Sequence, residues 1–573
     1  MASPSPSASL FASLLTGGGK TKGSGGNHAT RFDRKRFASD VALFEHKTPK
    51  PASGSDNDAH AAAAPPSEPP PPTSLDTPEA ALLYRKAKRI RVDVDAGAVI
   101  PPPAPDLASI DVHMNARVVT ALRVGGFANA TACQSQCYTL MAAGFDVLCC
   151  APTGSGKTLA FLAPVLSSFV QRREKDSTPC THAVVLAPSR ELAAQTARVL
   201  KSLAAGASVK VRVDTGVKDD EKRANASKAV PDFVVCTPDA CASRLRKLGK
   251  VRALVLDEAD RLLLDDGIRA HVQTIVAACT SKHLRMHMFS ATIPEKVDAM
   301  AREMFRHPAR VYVGVRNTPV SHVRQQLVYC GHGGQETGKM IAVKSVLRGK
   351  LEDLGGSFGG EDDTTDDRGV RSRRVFPCLI FCRSVARCQA LFEQVRALFA
   401  SLQSGDSAAA ARRVVGLHGG MSTSARQDAL TRFRSGDAWV LVATDVLSRG
   451  VDFAGVRLVV NYDFPSTAAD YVHRVGRAGR APTAAASASA QAPLARAVTL
   501  YTADDADALR PCAALIREAG GGAFLPDWLD GGTSASGGGD RKRRRGGGWR
   551  VEKDPGANAI SGRREVRRRK PKE

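Results

Sequence analysis

A glycine-rich turn followed by a lysine and a hydroxyl residue stands at residues 151–158. Backbone N–H groups of such a turn can surround a phosphate. Lys157 adds a positive charge for the β- and γ-phosphates, and Thr158 adds a hydroxyl ligand for Mg²⁺. The general pattern has Gly where this chain has Ala151. The turn predicts a site for a nucleoside triphosphate and Mg²⁺ formed by Ala151, Pro152, Thr153, Gly154, Ser155, Gly156, Lys157 and Thr158.

A pair of carboxylates, Asp257 and Glu258, directly follows the apolar run Ala253–Leu256. Ligands of α/β sheets bind at the carboxyl ends of the strands. Asp257 is therefore placed to hold Mg²⁺ through its water shell, opposite Thr158. Glu258 can orient and deprotonate an attacking water. Such a pair alone is weak evidence, but with the glycine-rich turn it predicts hydrolysis of a nucleoside triphosphate.

The elements that must position these residues are short apolar runs separated by helical stretches. The run Phe145–Cys150 predicts a buried strand before the turn, and Leu159–Val170 predicts a helix after it. This alternation favours parallel sheets flanked by helices, in two successive α/β domains. The other predicted strands are Ala183–Leu186, Phe233–Cys236, Ala253–Leu256, Met286–Phe289, Gln326–Tyr329, Cys378–Phe381, Val414–Leu417, Val440–Val442, Leu458–Asn461 and Ala497–Tyr501.

Composition and charge limit the class of protein. The chain has 573 residues, enough for two domains plus tails, and a net charge of +24, which favours a polyanionic partner such as nucleic acid. The 13 cysteines include no Cys-x-x-Cys pair, so we expect reduced, mostly buried thiols and no zinc site. No apolar run is long enough to span a membrane.

Composition also predicts where the ordered domains lie. Low-complexity sequence, a run of prolines and clusters of arginine favour disorder at both ends of the chain. Within the first part, residues 78–92 are expected to form a basic helix. The predicted organisation is a disordered extension at 1–100, a first domain at 101–315, a linker at 316–321, a second domain at 322–530 with an acidic insert at 351–374, and a basic disordered tail at 531–573.

Further motifs stand in a fixed order around these two sites, and together they resemble the DEAD-box RNA helicases. The name of that family comes from the sequence at residues 257–260. The resemblance covers residues 107–505 and implies two tandem RecA-like domains that bind ATP and RNA. The matching stretches are 126–134, 151–158, 188–195, 215–216, 237–238, 257–260, 290–292, 381–384, 417–420, 443–445, 448–452 and 473–480.

The resemblance implies roles in ATP binding and hydrolysis. Gln134 would bond the adenine and Asp452 the ribose. Arg477 and Arg480 would reach the γ-phosphate from the second domain, so that neither domain alone holds a complete site. His473 would link the attacking water to the contacts between the domains. Ser290 and Thr292 would couple hydrolysis to strand separation.

The resemblance also implies contacts to the RNA backbone, which carry little sequence information. Local unwinding of short duplexes is the expected outcome. Some positions depart from the family pattern: Ala130 replaces a usual Pro, and Cys133 replaces a usual Ile, so the walls of the adenine pocket differ. The expected RNA contacts are Pro188, Arg190, Gly216, Thr237, Arg383, Gly419, Thr444 and Arg449.

Stretches outside the catalytic motifs are similar to one nucleolar subgroup of the family, which acts in assembly of the small ribosomal subunit. They include residues 31–37, 100–103 and 461–465. The subgroup implies a monomer in the nucleus and nucleolus, with pre-rRNA, ribosome-assembly proteins and an activating cofactor protein as partners. The first 30 residues contain no Asp or Glu, as is typical of organelle transit peptides, so import into an organelle stays an alternative. Two other functions also stay open: an ATPase that acts on DNA, and an ATP-gated RNA clamp with little turnover.

Overall fold

The computed structural model describes twelve parts of the chain, and all statements on structure below refer to them. They are residues 75, 77–205, 209–214, 230–242, 248–314, 323–331, 336–348, 376–402, 407–445, 453, 455–479 and 495–518. Four predicted segments lie outside these parts: the first 74 residues, the linker at 316–321, the acidic insert at 351–374 and the tail at 531–573. The disorder predicted for the two ends and the character of the insert stay predictions.

The first domain is built on an eight-stranded sheet in the order β1-β8-β2-β7-β6-β3-β5-β4. Every neighbouring pair is parallel except β1 and β8, which are antiparallel. The strands are β1 Ile90–Val94, β2 Asp146–Cys150, β3 Ala183–Leu186, β4 Val211–Asp214, β5 Phe233–Cys236, β6 Ala253–Asp257, β7 Arg285–Ser290 and β8 Pro308–Val313.

Helices cover both faces of this sheet. The longest, α5, begins at Lys157, within the glycine-rich loop formed by residues 151–158, and carries an internal proline, Pro164. The helices are α1 Pro78–Ala87, α2 Leu107–Asp111, α3 Ala116–Val124, α4 Ala132–Ala142, α5 Lys157–Lys175, α6 Arg190–Leu203, α7 Pro238–Ala242, α8 Ala259–Leu264, α9 Asp266–Ala278 and α10 Glu295–Met304.

The second domain is built on a six-stranded sheet in the order β11-β12-β10-β13-β14-β9, in which all neighbouring pairs are parallel. The strands are β9 Val323–Tyr329, β10 Cys378–Cys382, β11 Val414–Leu417, β12 Val440–Thr444, β13 Leu458–Asn461 and β14 Ala495–Tyr501. The helices are α11 Glu336–Leu347, α12 Val385–Leu402, α13 Ser407–Arg412, α14 Thr423–Ser435, α15 Ala468–Val475 and α16 Ala506–Glu518.

Side chains alternate between the two faces of each sheet, and each face carries its own apolar core. In β2, Val147 and Cys149 belong to one core, while Leu148 and Cys150 belong to the other. Both faces are buried because helices cover both, which explains why the strands are continuous apolar runs. The two tandem parallel-sheet domains confirm the predicted fold class and the predicted strands.

The N-terminal segment of the first domain differs from the prediction. The expected helix over 78–92 ends at Ala87, and β1 follows it. Arg89, at φ +51°, turns the chain out of the helix, and β1 then pairs in register with β8. The expectation of disorder up to residue 100 is therefore wrong for residues 77–100, since backbone pairing across the sheet outweighs the polar composition of this segment.

The cysteines behave as predicted. All 13 are free thiols, and Cys180 alone is not fully buried. Among the helices of the described residues, none has the length and apolar character required to cross a bilayer.

Candidate active site at the domain junction

The glycine-rich loop connects β2 to α5 at the carboxyl end of the first sheet. Gly154 and Gly156 both have φ of +81°, which only glycine adopts readily. Lys157 is 9% exposed, and its Nζ donates to the carbonyls of Ala151 (2.7 Å) and Pro152 (3.0 Å). No side chain caps the N-terminus of α5, so its first N–H groups remain available to an anion.

Gln134 holds the glycine-rich loop from the side of α4. Its Oε1 accepts from the Thr131 backbone N–H (3.0 Å), and its Nε2 donates to the Gly156 carbonyl (3.2 Å). The Thr131 hydroxyl donates to the Ser155 carbonyl at 2.6 Å. A Cβ on Gly156 would lie 2.4 Å from the Gln134 Nε2. The sequence predicted Gln134 as a contact to adenine, whereas these contacts make it also a support of the loop.

Asp257 and Glu258 lie at the end of β6, and both are at most 5% exposed. Burial and the neighbouring charge of Glu258 raise the pKa of the Asp257 carboxyl to about 7, against the opposing charge of Lys157. A buried carboxylate of this kind gains from a cation at its oxygens, so Asp257 fits the hard oxygen donor that Mg²⁺ requires. Glu258 adopts φ +53°, a strained conformation for a non-glycine residue.

Residues of both domains meet at Asp260. Its Oδ2 accepts from the Thr292 hydroxyl at 2.6 Å and lies 2.9 Å from the His473 Nε2. The other ring nitrogen of His473, Nδ1, is 3.5 Å from the Glu258 Oε2. Asp260 and His473 are both fully buried. One hydrogen-bond network thus joins two elements of the first domain, the end of β7 and the start of α8, to α15 of the second domain.

Arg477 lies one turn beyond His473 and is 1% exposed. Its Nε donates to the His473 carbonyl at 3.1 Å. The neighbouring Gly476 carbonyl accepts from the Thr153 hydroxyl at 2.9 Å. The second domain therefore places Arg477 beside the glycine-rich loop, in a chain segment that contacts this loop directly.

The order of the strands separates the predicted residues into two groups along the sheet edges. In the first domain the loop, Ser290 and Asp257 follow the adjacent strands β2, β7 and β6, whereas Pro188 and Thr237 follow β3 and β5. In the second domain the predicted RNA contacts end the three adjacent strands β11, β12 and β10. In the first sheet, the residues predicted to bind the nucleotide and those predicted to bind RNA thus occupy neighbouring halves of the edge.

The predicted RNA residues have two kinds of environment. Arg383 and Gly419 are exposed, and Pro188 and Arg190 are half-buried. Thr237 and Thr444, in contrast, are 5% and 3% exposed. Their hydroxyl oxygens find no hydrogen-bond partner among the described residues.

An ion pair joins the two domains on the RNA side. Arg426 on α14 lies 3.0 Å from Glu191 on α6, and their side chains are 11% and 14% exposed. The sequence prediction did not give this pair a role. The sequence offered one indication of a shared role: Glu191 lies in the stretch 188–195 and Arg426 follows the stretch 417–420, and both stretches contain predicted RNA contacts.

Arg474 is a second residue whose role the sequence did not indicate. It is fully buried, and its guanidinium binds both carboxylate oxygens of Asp445 at 2.5 Å and the Asp463 carbonyl at 2.7 Å. It fixes the end of β12 against α15. Four predicted site residues lie outside the described parts of the chain: Gly216, Arg449, Asp452 and Arg480.

Comparison with known protein families gives two matches. Residues 131–300 match the model described as DEAD/DEAH box helicase, and residues 367–482 match the helicase conserved C-terminal domain.

Curated relatives match over most of their length. The chain is 32% identical over 465 residues to the ATP-dependent RNA helicase ROK1 of Meyerozyma guilliermondii, covering 80% of this chain and 76% of that one. It is 33% identical to the DEAD-box ATP-dependent RNA helicase 57 of Arabidopsis thaliana, covering 79% and 73%. It is 31% identical to the probable ATP-dependent RNA helicase DDX52 of Mus musculus, covering 79% and 68%.

Solved structures share the fold. Mss116p bound to single-stranded RNA and AMP-PNP superimposes with a TM-score of 0.57 at 22% identity, covering 72% of this chain and 77% of that one. Dbp5 of S. cerevisiae bound to RNA and ADP BeF3 gives 0.54 at 21% identity, covering 72% and 93%. At these identities the likeness concerns the fold alone.

Proposed function

Because the chain belongs to the DEAD-box family of ATP-dependent RNA helicases, we propose that it couples ATP hydrolysis to closure of its two domains on RNA. Closure would bend one strand and release its partner, which gives local unwinding of short duplexes or remodelling of RNA–protein complexes. ATP and RNA are the ligands, and the enzyme is a hydrolase that acts on ATP.

One observation carries this proposal: Asp260 is hydrogen-bonded to Thr292 and to His473 of the second domain, and the second ring nitrogen of His473 lies 3.5 Å from the Glu258 carboxylate. A hydrolytic site completed only by the second domain makes turnover depend on closure. Anything that favours closure, such as RNA held across both domains, then raises the rate of hydrolysis.

Phosphoryl transfer requires charge neutralisation and positioning rather than covalent chemistry. Lys157 would neutralise the β- and γ-phosphates from the first domain, and Arg477 and Arg480 would do so from the second. Glu258 would accept a proton from the attacking water, with His473 orienting this carboxylate. Thr158 and Asp257 would hold Mg²⁺, largely through water, and the ion supplies further neutralisation when bound.

Base and sugar contacts complete the nucleotide site. Gln134 would bond the adenine with the amide proton of Nε2 that the Gly156 carbonyl does not use, and Asp452 would contact the ribose. Ser290 and Thr292, at the end of β7, would transmit the state of the γ-phosphate to Asp260 and the second domain.

The RNA backbone would cross the half of each sheet edge that lies beside the nucleotide. The buried hydroxyls of Thr237 and Thr444 support this path, since phosphate oxygens would satisfy both. Exposed Arg383 and half-buried Arg190 would add charge. The full set of proposed RNA contacts is Pro188, Arg190, Gly216, Thr237, Arg383, Gly419, Thr444 and Arg449.

The cellular role that we propose is pre-rRNA processing in assembly of the small ribosomal subunit, in the nucleolus. Its support is the similarity to relatives named ROK1 and DDX52, together with the subgroup stretches of the sequence. The strongly basic chain agrees with an RNA-rich setting. Assembly factors and an activating cofactor protein are the proposed partners of a monomeric enzyme.

The first test is phosphate release from ATP, with and without a structured RNA, for the parent and Lys157→Ala. Strong stimulation by RNA that disappears in the variant is expected. Turnover that ignores RNA would instead favour the ATP-gated clamp, and equal stimulation by matched DNA would favour the DNA enzyme.

The cellular proposal needs a separate experiment. Cells that depend on Glu258→Gln are expected to accumulate unprocessed small-subunit rRNA, with the variant retained on pre-rRNA after crosslinking. Normal rRNA processing under the same dependence would refute the role in ribosome assembly without affecting the enzyme assignment.

A further inference from the structure

Three cysteine thiols converge behind the glycine-rich loop. Cys133 lies in the first turn of α4, Cys137 lies one turn later on the same face, and Cys149 lies on β2. Their sulfur atoms all lie within 4.8 Å of one another, and those of Cys133 and Cys149 are 3.5 Å apart. All three side chains are fully buried. No sequence spacing indicated this group, because the fold brings β2 against α4.

The spacing matches that of sulfur ligands around one metal ion. A zinc–thiolate bond is about 2.3 Å, so three sulfurs around such an ion are separated by roughly 3.8–4.0 Å. The 3.5 Å between the Cys133 and Cys149 sulfurs is slightly shorter than this value, all separations are below 4.8 Å, and small rotations of the side chains would reach it. We propose that Cys133, Cys137 and Cys149 form a three-thiolate site for a soft metal ion, and that an ion bound there weakens ATP binding.

The chemistry of the donors selects the class of ion. Thiolates prefer soft ions such as Cu⁺ or Cd²⁺ over Mg²⁺ or Ca²⁺. Each thiol loses one proton on coordination, so binding releases three protons per ion and strengthens as the pH rises.

The position of the group gives it a route to the nucleotide. Cys133 immediately precedes Gln134, whose amide holds the loop at Gly156. Cys149 lies two residues before Ala151, where the loop begins. An ion that changes the separation of these sulfurs shifts both attachments of the loop. The loop geometry on which ATP binding depends then changes.

The test uses the full chain, freshly reduced, with Cd²⁺ as the probe, because cadmium–thiolate bonds absorb in the ultraviolet. The test variant is Cys149→Ala. The matched control is Cys150→Ala, the next residue on the same strand, whose sulfur faces the opposite core and lies 3.5 Å from the Ala291 carbonyl. Cys137→Ala, on a helix that tolerates alanine, replaces Cys149→Ala if that variant does not fold.

The parent and Cys150→Ala are expected to bind one equivalent of Cd²⁺ with the absorption of three thiolates, and to bind a fluorescent ATP analogue at least fivefold more weakly when loaded. Cys149→Ala is expected to lack both effects while retaining normal ATP affinity without Cd²⁺. If Cys149→Ala and Cys137→Ala bind Cd²⁺ like the parent, or if loading leaves ATP affinity unchanged, the proposal fails. Neither result bears on the helicase assignment, which is measured without Cd²⁺.

Discussion

The Thr153 hydroxyl, in the glycine-rich loop, donates a 2.9 Å hydrogen bond to the Gly476 carbonyl of the other domain. A Cβ on Gly476 would lie 1.9 Å from the Thr153 Oγ1 and 3.0 Å from its Cβ. The backbone of Gly476 has φ −66°, which any residue adopts. Glycine is therefore required here by the close approach of the two domains and not by backbone conformation.

We expect Gly476→Ala to hinder closure and to lower RNA-stimulated hydrolysis roughly tenfold or more, which corresponds to about 1.4 kcal/mol in the barrier. Steady-state phosphate release measures this loss. The double variant Gly476→Ala/Thr153→Ala should recover part of the activity, because the closest clashing atom is removed. A double variant no better than Gly476→Ala alone would show that the contact does not limit closure.

Asp260 and His473 should act as one unit. Removing either side chain breaks the buried contact between the Asp260 Oδ2 and the His473 Nε2, so Asp260→Ala and His473→Ala should each reduce kcat strongly. The double variant should be little worse than either single one, with a coupling energy of about 1–3 kcal/mol. Binding of ATP to the first domain alone should change little. If the double variant instead loses as much activation free energy as the two single variants together, Asp260 and His473 do not act as one unit.

The raised pKa of Asp257 predicts how the Mg²⁺ requirement depends on pH. With the carboxyl titrating near pH 7, protons compete with Mg²⁺ below this value and no longer compete above it. The Mg²⁺ concentration for half-maximal hydrolysis should rise by nearly tenfold for each pH unit below about 7. The measurement is a Mg²⁺ titration at pH 6, 7 and 8, corrected for the Mg²⁺ affinity of free ATP. If the Mg²⁺ concentration for half-maximal hydrolysis is the same at all three pH values, protons do not compete with Mg²⁺ at Asp257.

The ion pair between Glu191 and Arg426 should contribute to closure on RNA. Because both side chains are largely buried, Arg426→Glu should weaken ATP-dependent RNA binding by about 1–3 kcal/mol. Glu191→Arg combined with Arg426→Glu restores opposite charges and should recover much of the affinity. Fluorescence anisotropy of labelled RNA with a non-hydrolysable ATP analogue measures both. Failure of the charge swap would assign the loss to a direct RNA contact of Arg426.

Two buried histidines predict acid sensitivity of the first domain. Burial lowers the pKa of His182 to about 3 and that of His287 to about 4. In the unfolded chain each histidine takes up a proton near its ordinary pKa of about 6.5. The free energy of unfolding is therefore highest at neutral pH and falls as the pH drops below about 6.5. For His182 the loss between pH 7 and pH 5 is about 2 kcal/mol. Urea unfolding of the parent and His182→Leu, whose profile should be flatter, measures it.

The sequence predicted the position of the candidate site residues at the strand ends better than the contacts that connect them. Lys157, Asp257 and Glu258 could be assigned because strand ends in a parallel sheet converge on one edge. The pairs Thr153–Gly476 and Glu191–Arg426 could not, because they depend on how two separately folded sheets meet. The support that Gln134 gives the loop was also missed, since an amide at a helix start has the same appearance whether it binds a base or a carbonyl.

The same limit applies at the start of the fold. Residues 90–94 alternate apolar and charged side chains, a strand pattern that the predicted helix over 78–92 did not take into account, and their partner β8 lies more than 200 residues away in the sequence. Local patterns cannot reveal such long-range pairing. The short strand β4 was likewise not predicted, because it has one fully buried residue and lacks a continuous apolar run.

The antiparallel pairing of β1 with β8 has a consequence for solubility. A sheet edge with free N–H and C=O groups recruits strands from other molecules, and β8 carries the apolar residues Ala309, Val311 and Val313. Residues 90–94 cover β8 with a short edge strand that bears Arg91 and Asp93, so a foreign strand meets an edge of five residues with charged side chains. A chain shortened to begin at residue 101 would expose β8 and would self-associate, even with every catalytic residue in place.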